Sequence, residues 1–463
     1  MKLQDKNATN QNTKRVTSIL LMFLVTITAL AGVAYNLGIS NTYSTTKQVS
    51  LLFLTIILLG VLVVYLYTMS ASKIFTMSKQ LICFVVYEII IVCITFLVTQ
   101  SYLMLPILIA PMLIALVVDI GFALVSNMFF SIFASLLFVD NRFEILIFYL
   151  LGGSIAALLI KYTKSRKNIA VVAGILIIVN VTNVLLLDLY IYDNFYGMHF
   201  LLALLNAGLS VIITIGMLPL FETVFDVVTP SKLLEFSNID QPLIKRLLNE
   251  APGTFHHSQM VASLSEKAAM DIDADHQLAR VASLYHDIGK LKRPEYFIEN
   301  QEDGINPHDE LAPENSAMII LSHVSDGMIL ANEYKLPTAI KNIIKQHQGD
   351  ALLRYFYNKA KNGAVGNEII SEDTYSYRGP KPQTREAAVV MLADSTEAAI
   401  KAIPIDTRSL ENMEEMISNV IKTRFQEGQL DESNLTINEL NVIAKAFLQV
   451  YKGKDHTRNI KKL

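Results

Sequence analysis

The first 221 residues are a succession of apolar runs, each long enough to cross a bilayer core of roughly 30 Å. Inside lipid every backbone polar group must be satisfied within its own segment, so such runs fold as helices. Eight candidate spans read as 16–35, 49–69, 80–98, 103–119, 121–139, 143–161, 168–190 and 198–221. The fourth and fifth are almost continuous, with only Asp119 and Gly121 marking a reversal, and Pro106 and Pro111 bend the fourth. From Glu222 onward the residues are those of an ordinary globular domain. This division explains a 463-residue chain that is 52% apolar yet half soluble in character.

Lys14 and Arg15 precede the first run as they would in a signal peptide. Val16–Tyr35 is longer than a signal core, and no small-residue cleavage site follows, so it reads as an uncleaved span. Basic residues then set the orientation. Lys2, Lys6, Lys14 and Arg15 lie at the N-terminus, Lys73 and Lys79 between spans two and three, and Lys161, Lys164, Arg166 and Lys167 between six and seven. An even number of spans puts all of these, and both termini, in the cytoplasm. Only Lys47 and Arg142 fall on the other side, and the seventh-to-eighth loop is acidic, with Asp188 and Asp193. Three regions follow: 1–48 with the first span and a short outer loop, a seven-span bundle over 49–221, and a cytoplasmic domain over 222–463. The net charge of −3 gives no sign of a nucleic-acid polymer as partner. Cys83 and Cys93 sit in one apolar run and form no disulfide framework.

Glu88, within the third span, and Asp119, at the end of the fourth, are acids at membrane depth, where ionisable groups are costly. Glu88 is expected to face the bundle and hydrogen-bond a Tyr or Ser neighbour. No acidic and basic groups are paired at matched depth, and no Gly/Pro-broken repeat is present, so a transporter is not supported.

The soluble half reads as all-α. Helical patterns cover His256–Met270 and then 276–288, 313–333, 337–347, 384–402, 409–425 and 437–451, with Ala251–Thr254 as a break and Thr436–Glu439 as a capping box. Residues 362–385 are polar and rich in Gly and Pro, and read as a long loop at the site. The long C-terminal helix offers a surface for a homodimer.

Seven of the nine histidines fall between His256 and His347. His286-Asp287 is the centre of this cluster, since each residue can ligate a metal and the carboxylate can bridge two. Phosphodiester hydrolysis needs a nucleophile, neutralised phosphoryl charge and a stabilised leaving oxygen, and two metals about 3.5–4 Å apart supply all three. In an all-helical domain the ligands must project inward from several helices. His257, His286, Asp287 and Asp394 are assigned to one metal. Asp287 would bridge to a second, held by His323, His347 and water. His and carboxylate donors suit Mn or Fe, with Zn or Co as alternatives. Lys290, one turn after the pair, can place its ammonium on a phosphate or leaving oxygen. His256 is expected beside the substrate.

The motifs Ala251-Pro-Gly-Thr-Phe-His-His-Ser258, Tyr285-His-Asp-Ile-Gly-Lys290, Arg293-Pro-Glu-Tyr-Phe-Ile-Glu-Asn-Gln301, Asn306-Pro-His-Asp309, Ser322-His-Val324, Gly379-Pro-Lys-Pro-Gln-Thr384 and Met391-Leu-Ala-Asp-Ser395 together resemble the seven-transmembrane-HD family of bacterial membrane phosphohydrolases. The characterised members are cyclic di-AMP phosphodiesterases. The resemblance implies a helical membrane bundle followed by an all-α, metal-dependent HD phosphohydrolase domain. It implies hydrolysis of cyclic di-AMP to 5′-pApA, with two divalent ions, Asp287 and Lys290 in catalysis, and Arg293 near the nucleotide. Arg378 stands where the family tends to have proline, and it and Lys381 are read as contacts for the nucleotide phosphates, the alternative being a solvated loop.

Two departures stand out. The family's usual extracellular domain is replaced by the short loop Asn36–Gln48. Where the family has two adjacent histidines as ligands of the second metal, this chain has His347-Gln348, then Gly349-Asp350. A glutamine carbonyl is a weaker ligand than imidazole, which raises the competing expectation of a cyclic-dinucleotide receptor with impaired catalysis. Asp350 is the substitute ligand to test against the structure.

Overall fold

A computed structural model describes the backbone of residues 2–39, 44–70, 77–98, 100–138, 140–161, 163, 166–301, 306–364 and 369–459. Lys73, Lys164 and positions 40–43 of the outer loop lie outside the described residues. The chain divides into two compact units, Met1–Ser231 and Lys232–Leu463. Every named element is helical, and among the described residues β pairing is confined to an isolated bridge between Leu352 and Ser376.

The first unit holds α1 (Lys2–Ile39), α2 (Thr45–Ser70), α3 (Met77–Leu97), α4 (Ile109–Val117), α5 (Ile120–Leu137), α6 (Arg142–Ile160), α7 (Arg166–Tyr192) and α8 (Gly197–Phe225). Among the described residues, six helical segments are long and apolar enough to cross a membrane: Thr45–Leu66, Met77–Leu97, Ile120–Leu137, Arg142–Ile160, Asn168–Tyr192 and Gly197–Phe225. Leu20–Asn36 and Tyr102–Val117 are shorter apolar pieces. This is a polytopic membrane protein.

The Tyr102–Val117 piece is broken, with 3-10 turns at Tyr102–Met104 and Pro106–Leu108 before α4 begins. Pro106 lacks an N–H and fits the first position of its turn. The carbonyls this break frees are met by neighbouring helices. Asn206 Nδ2 on α8 donates to the oxygens of Leu103 and Leu105 at 2.8 and 2.9 Å. The Tyr149 hydroxyl on α6 lies 2.7 and 2.9 Å from those of Tyr102 and Leu105. Asp119 owes its place at depth to capping, since its carboxylate accepts from the Gly121 and Phe122 N–H groups at the start of α5. The expected Tyr or Ser partner of Glu88 is not found for its Oε1, which is buried without a hydrogen bond. The neighbouring Tyr87 hydroxyl is instead taken by Ser126 at 2.8 Å.

The second unit is built from α9 (Pro230–Phe236), α10 (Pro242–Glu250), α11 (Pro252–Asp271), α12 (His276–Tyr285), α13 (Pro313–Glu333), α14 (Thr338–Gln346), α15 (Arg354–Gly363), α16 (Arg385–Ala402), α17 (Leu410–Gln426) and α18 (Ile437–Asn459). Short polar side chains start several of them. Asp275 caps α12 through the Leu278 N–H, Thr384 caps α16 through Ala387, and Ser409 caps α17 through Asn412. At α18 the Thr436 Oγ1 accepts from the Glu439 N–H while Glu439 Oε2 accepts from the Thr436 N–H, a reciprocal capping box. Apolar side chains such as Val261, Ala282, Ile344, Val389 and Phe447 are buried in the core. α11 packs against α12, α16 and α18.

Three local expectations need correction. Ala251–Thr254 is not a break ahead of the helix: α11 starts at Pro252, because a missing N–H costs nothing at a first helical position. α12 ends at Tyr285, and the chain turns through His286 and Asp287 into a 3-10 turn, Ile288–Lys292. The long polar segment begins with the last residues of α15 and carries a further 3-10 turn at Glu372–Thr374.

Candidate metal centre

Five helices deliver the clustered side chains. His257 lies in the second turn of α11, and His286-Asp287 in the turn after α12. His323 is within α13, His347 caps the end of α14, and Asp394 lies on α16. The tight turn after Asp287 depends on Gly289. A Cβ there would sit 1.8 Å from the His323 carbonyl oxygen, so only glycine lets this turn lie against α13.

All six residues come together, and all are buried. They form two groups able to hold a metal ion: His257, His286, Asp287 and Asp394, and Asp287, His323 and His347. Asp287 faces each group with a different oxygen. Its Oδ2 is 3.5 Å from His257 Nε2 and 3.3 Å from His286 Nε2. Its Oδ1 is 3.4 Å from His323 Nε2 and 3.6 Å from His347 Nε2. That is a bridging orientation.

The second partner of each imidazole aims it inward. The Nδ1 atoms of His286, His323 and His347 each donate to a backbone carbonyl three residues back, at 2.7, 2.6 and 2.8 Å. His257 Nδ1 instead meets Glu397 Oε2 at 2.5 Å. With Nδ1 occupied, each Nε2 is the atom left for the centre, which is how metal-binding histidines are held. His286 Nε2 and Asp287 Oδ1 are buried without any hydrogen bond. His323 and His347 point Nε2 atoms at each other across 3.1 Å. Neutral imidazoles in that arrangement oppose two lone pairs, an arrangement a cation between donors resolves. The residues present therefore fit metal ions.

The electrostatics agree. Burial alone would raise the carboxyls of Asp287 and Asp394. The adjacent His286 and Lys290 hold Asp287 well below the usual range, and hydrogen bonds from His257 and His286 do the same for Asp394. Burial would likewise lower His257 and His286, but the carboxylates outweigh it and raise them to about 9 and about 10. His323 goes the other way, lowered to about 4 chiefly by burial, and so offers a neutral ring.

Lys290 contacts the bridging carboxylate itself, with Nζ 2.8 Å from Asp287 Oδ2 and 2.7 Å from Glu299 Oε1. Glu299 is in turn held by the Thr254 hydroxyl at 3.0 Å. Burial would depress the Lys290 ammonium, but Asp287 and Glu299 raise it.

The other expected site residues belong to neither metal-holding group. His256 is exposed on α11 and lines a separate groove with Ser237, Gln259 and Arg280, because one helical step turns it about 100° from His257. Arg293 and Arg378 are exposed. Lys381 lies 3.9 Å from Asp350. Asp350 itself accepts from Gln429 Nε2 at 2.6 Å and belongs to neither metal-holding group, so it is no substitute ligand. Gln348 Nε2 donates to Asp394 Oδ2 at 2.9 Å.

Sequence reasoning missed Glu397, Glu299 and Tyr377. The buried Tyr377 ring meets His323 edge-on at 5.7 Å between centroids. Glu397 carried a readable signal, since it lies three residues after Asp394 on the same helical face. Tyr377 carried none within its polar segment.

Comparison with known proteins places these regions. Residues 45–229 match the family described as 7TM receptor with intracellular HD hydrolase, and residues 254–399 match the HD domain. A cyclic-di-AMP phosphodiesterase, PgpH, of Listeria monocytogenes is 40% identical over 355 residues, covering 75% of this chain and 49% of that protein. Its Bacillus subtilis namesake is 37% identical over 362 residues, covering 76% of this chain and 50% of the other. This chain thus spans about half the length of these curated relatives. The crystal structure of the L. monocytogenes PgpH HD domain in complex with cyclic-di-AMP is 46% identical, covering 47% of this chain and 99% of that one, with a TM-score of 0.45.

Proposed function

We propose, from the matches of residues 45–229 to the family described as 7TM receptor with intracellular HD hydrolase and of residues 254–399 to the HD domain, that the chain is a membrane-bound, metal-dependent phosphodiesterase that hydrolyses cyclic di-AMP to 5′-pApA. The observation that carries the reading is the bridging orientation of Asp287, with one oxygen toward each histidine group. Two divalent ions, Mn or Fe, would be held by His257, His286, Asp287 and Asp394 and by Asp287, His323 and His347. When bound, they supply a nucleophile at neutral pH and neutralise phosphoryl charge. Asp287 holds both positions together, and Glu397 fixes the His257 ring. Lys290, tethered by Glu299, brings a permanent cation to the edge of the centre, where a phosphate or leaving oxygen gains from it. Arg293, Arg378 and Lys381 remain the candidates for the rest of the nucleotide. The basic loops support a cytoplasmic placement of the HD domain, the side on which a soluble second messenger is met.

The full chain in detergent, loaded with Mn and given cyclic di-AMP, is expected to release pApA, with loss of turnover on Asp287→Ala. A second reading, a cyclic-di-AMP receptor with impaired catalysis, is favoured by one observation: the Gln348 amide donates to Asp394, and Gln348 is in neither metal-holding group. Tight cyclic di-AMP binding without product in the Mn-loaded full chain would decide for the receptor.

A further inference from the structure

We infer that Gln348 is a positioning residue of the first metal, holding Asp394 Oδ2 so that Oδ1 is presented to the ion. The inference rests on the two-metal reading above. Asp394 divides its oxygens between two tasks. Oδ1 lies 3.0 Å from His257 Nε2 and 3.6 Å from His286 Nε2, inside the first group. Oδ2 accepts from Gln348 Nε2 at 2.9 Å. An ionised carboxylate only accepts, so the amide must turn its NH2 group to Asp394 and its carbonyl away. The donor that meets Asp394 cannot at the same time be a ligand.

The local chain is built to hold this arrangement. His347 caps α14 and points Nε2 toward Asp287 Oδ1, and the next residue points into the other group. Gly349 follows with φ +57°, its N–H bonded to the Gln346 carbonyl at 3.0 Å. The Gln346 side chain accepts from the Gln383 N–H at 3.0 Å, and Gln429 packs against Gly349. The turn therefore fixes where residue 348 projects. Partners that orient ligating carboxylates and imidazoles typically alter metal affinity by about 10–100-fold when removed. In this centre the first ion has two such partners, Glu397 on His257 and Gln348 on Asp394, and the second ion keeps Asp287, His323 and His347.

The test is a Mn(II) titration of the metal-free full chain in detergent, followed by electron paramagnetic resonance, which counts free ions and separates isolated ions from a spin-coupled pair. Q348M keeps the volume and removes the donor; Q348A removes both. The first group offers four ligand residues and the second three, so the tighter class is assigned to the first metal; each variant is expected to weaken it by about tenfold or more and to leave the weaker class unchanged. Q348H is expected to tighten the weaker class and strengthen the coupled-pair signal. Loss of the weaker class alone in Q348M would make Gln348 a ligand of the second metal and overturn the inference. An unchanged titration, or parallel loss of both classes, would overturn it too. If the wild-type chain binds Mn in two classes but leaves cyclic di-AMP intact, the phosphodiesterase reading fails while the role of Gln348 stands.

Discussion

His257 and His286 occupy a centre whose carboxylates keep them protonated to about pH 9 and about pH 10. In the metal-free protein a proton therefore stands on each ring where an ion is to bind. Both groups are raised above the ordinary histidine value, so their protons are held at neutral pH and leave only as pH climbs toward 9. Metal uptake at pH 7 is expected to release about two protons, and affinity should rise with pH by up to about a hundredfold per unit until the first ring titrates. Calorimetric titration with Mn in buffers of different ionisation enthalpy measures this directly, and a pH-independent affinity would contradict it. At this scale the ligands were legible in the sequence because histidines are rare and seven of nine fall in one stretch. Their supports were less so. Glu397 meets His257 from 140 residues away, and nothing local distinguishes Glu299 from a solvated acid.

The elements show the same contrast between pattern and contact. Helices with apolar periodicity and capping residues were readable, α18 with its capping box most plainly. The end of α12 was not, because the turn through His286 and Asp287 is set by the close approach of Gly289 to α13 and not by any breaker. Gly289→Ala is expected to destabilise the protein by about 3 kcal/mol or more, since a methyl 1.8 Å from the His323 carbonyl oxygen forces the two elements apart. Thermal unfolding of the full chain checks the stability loss. A lowered affinity of the weaker metal class in the same variant would trace it to the Asp287–His323 junction, and an unchanged midpoint would show that the turn has slack. In the membrane unit the break at Pro106 was visible in sequence, but not its remedy. Asn206 and Tyr149 satisfy the freed carbonyls from helices that pack nearby but lie far along the sequence, a condition lipid imposes and no local window reveals.

For the molecule as a whole, the question is what the fold owes to its ions. Small zinc domains unfold without metal because their ligands have nothing else to hold. Here the buried ligands are embedded in a helical domain with a core of its own, and their charges are largely matched internally. Asp287, Asp394, Glu299 and Glu397 face Lys290 and the protonated His257 and His286. On the proposed function, stripping the full chain with a chelator is expected to abolish hydrolysis while leaving the far-ultraviolet circular dichroism unchanged, and Mn should restore turnover. A collapse of the helical signal would show that the internal charges do not suffice.

The Lys290–Asp287 ion pair has a consequence for how any variant at this position is to be read. One ammonium offsets two buried carboxylates, Asp287 and Glu299, so removing it leaves both uncompensated, and a loss of function at Lys290 arrives together with a loss of stability.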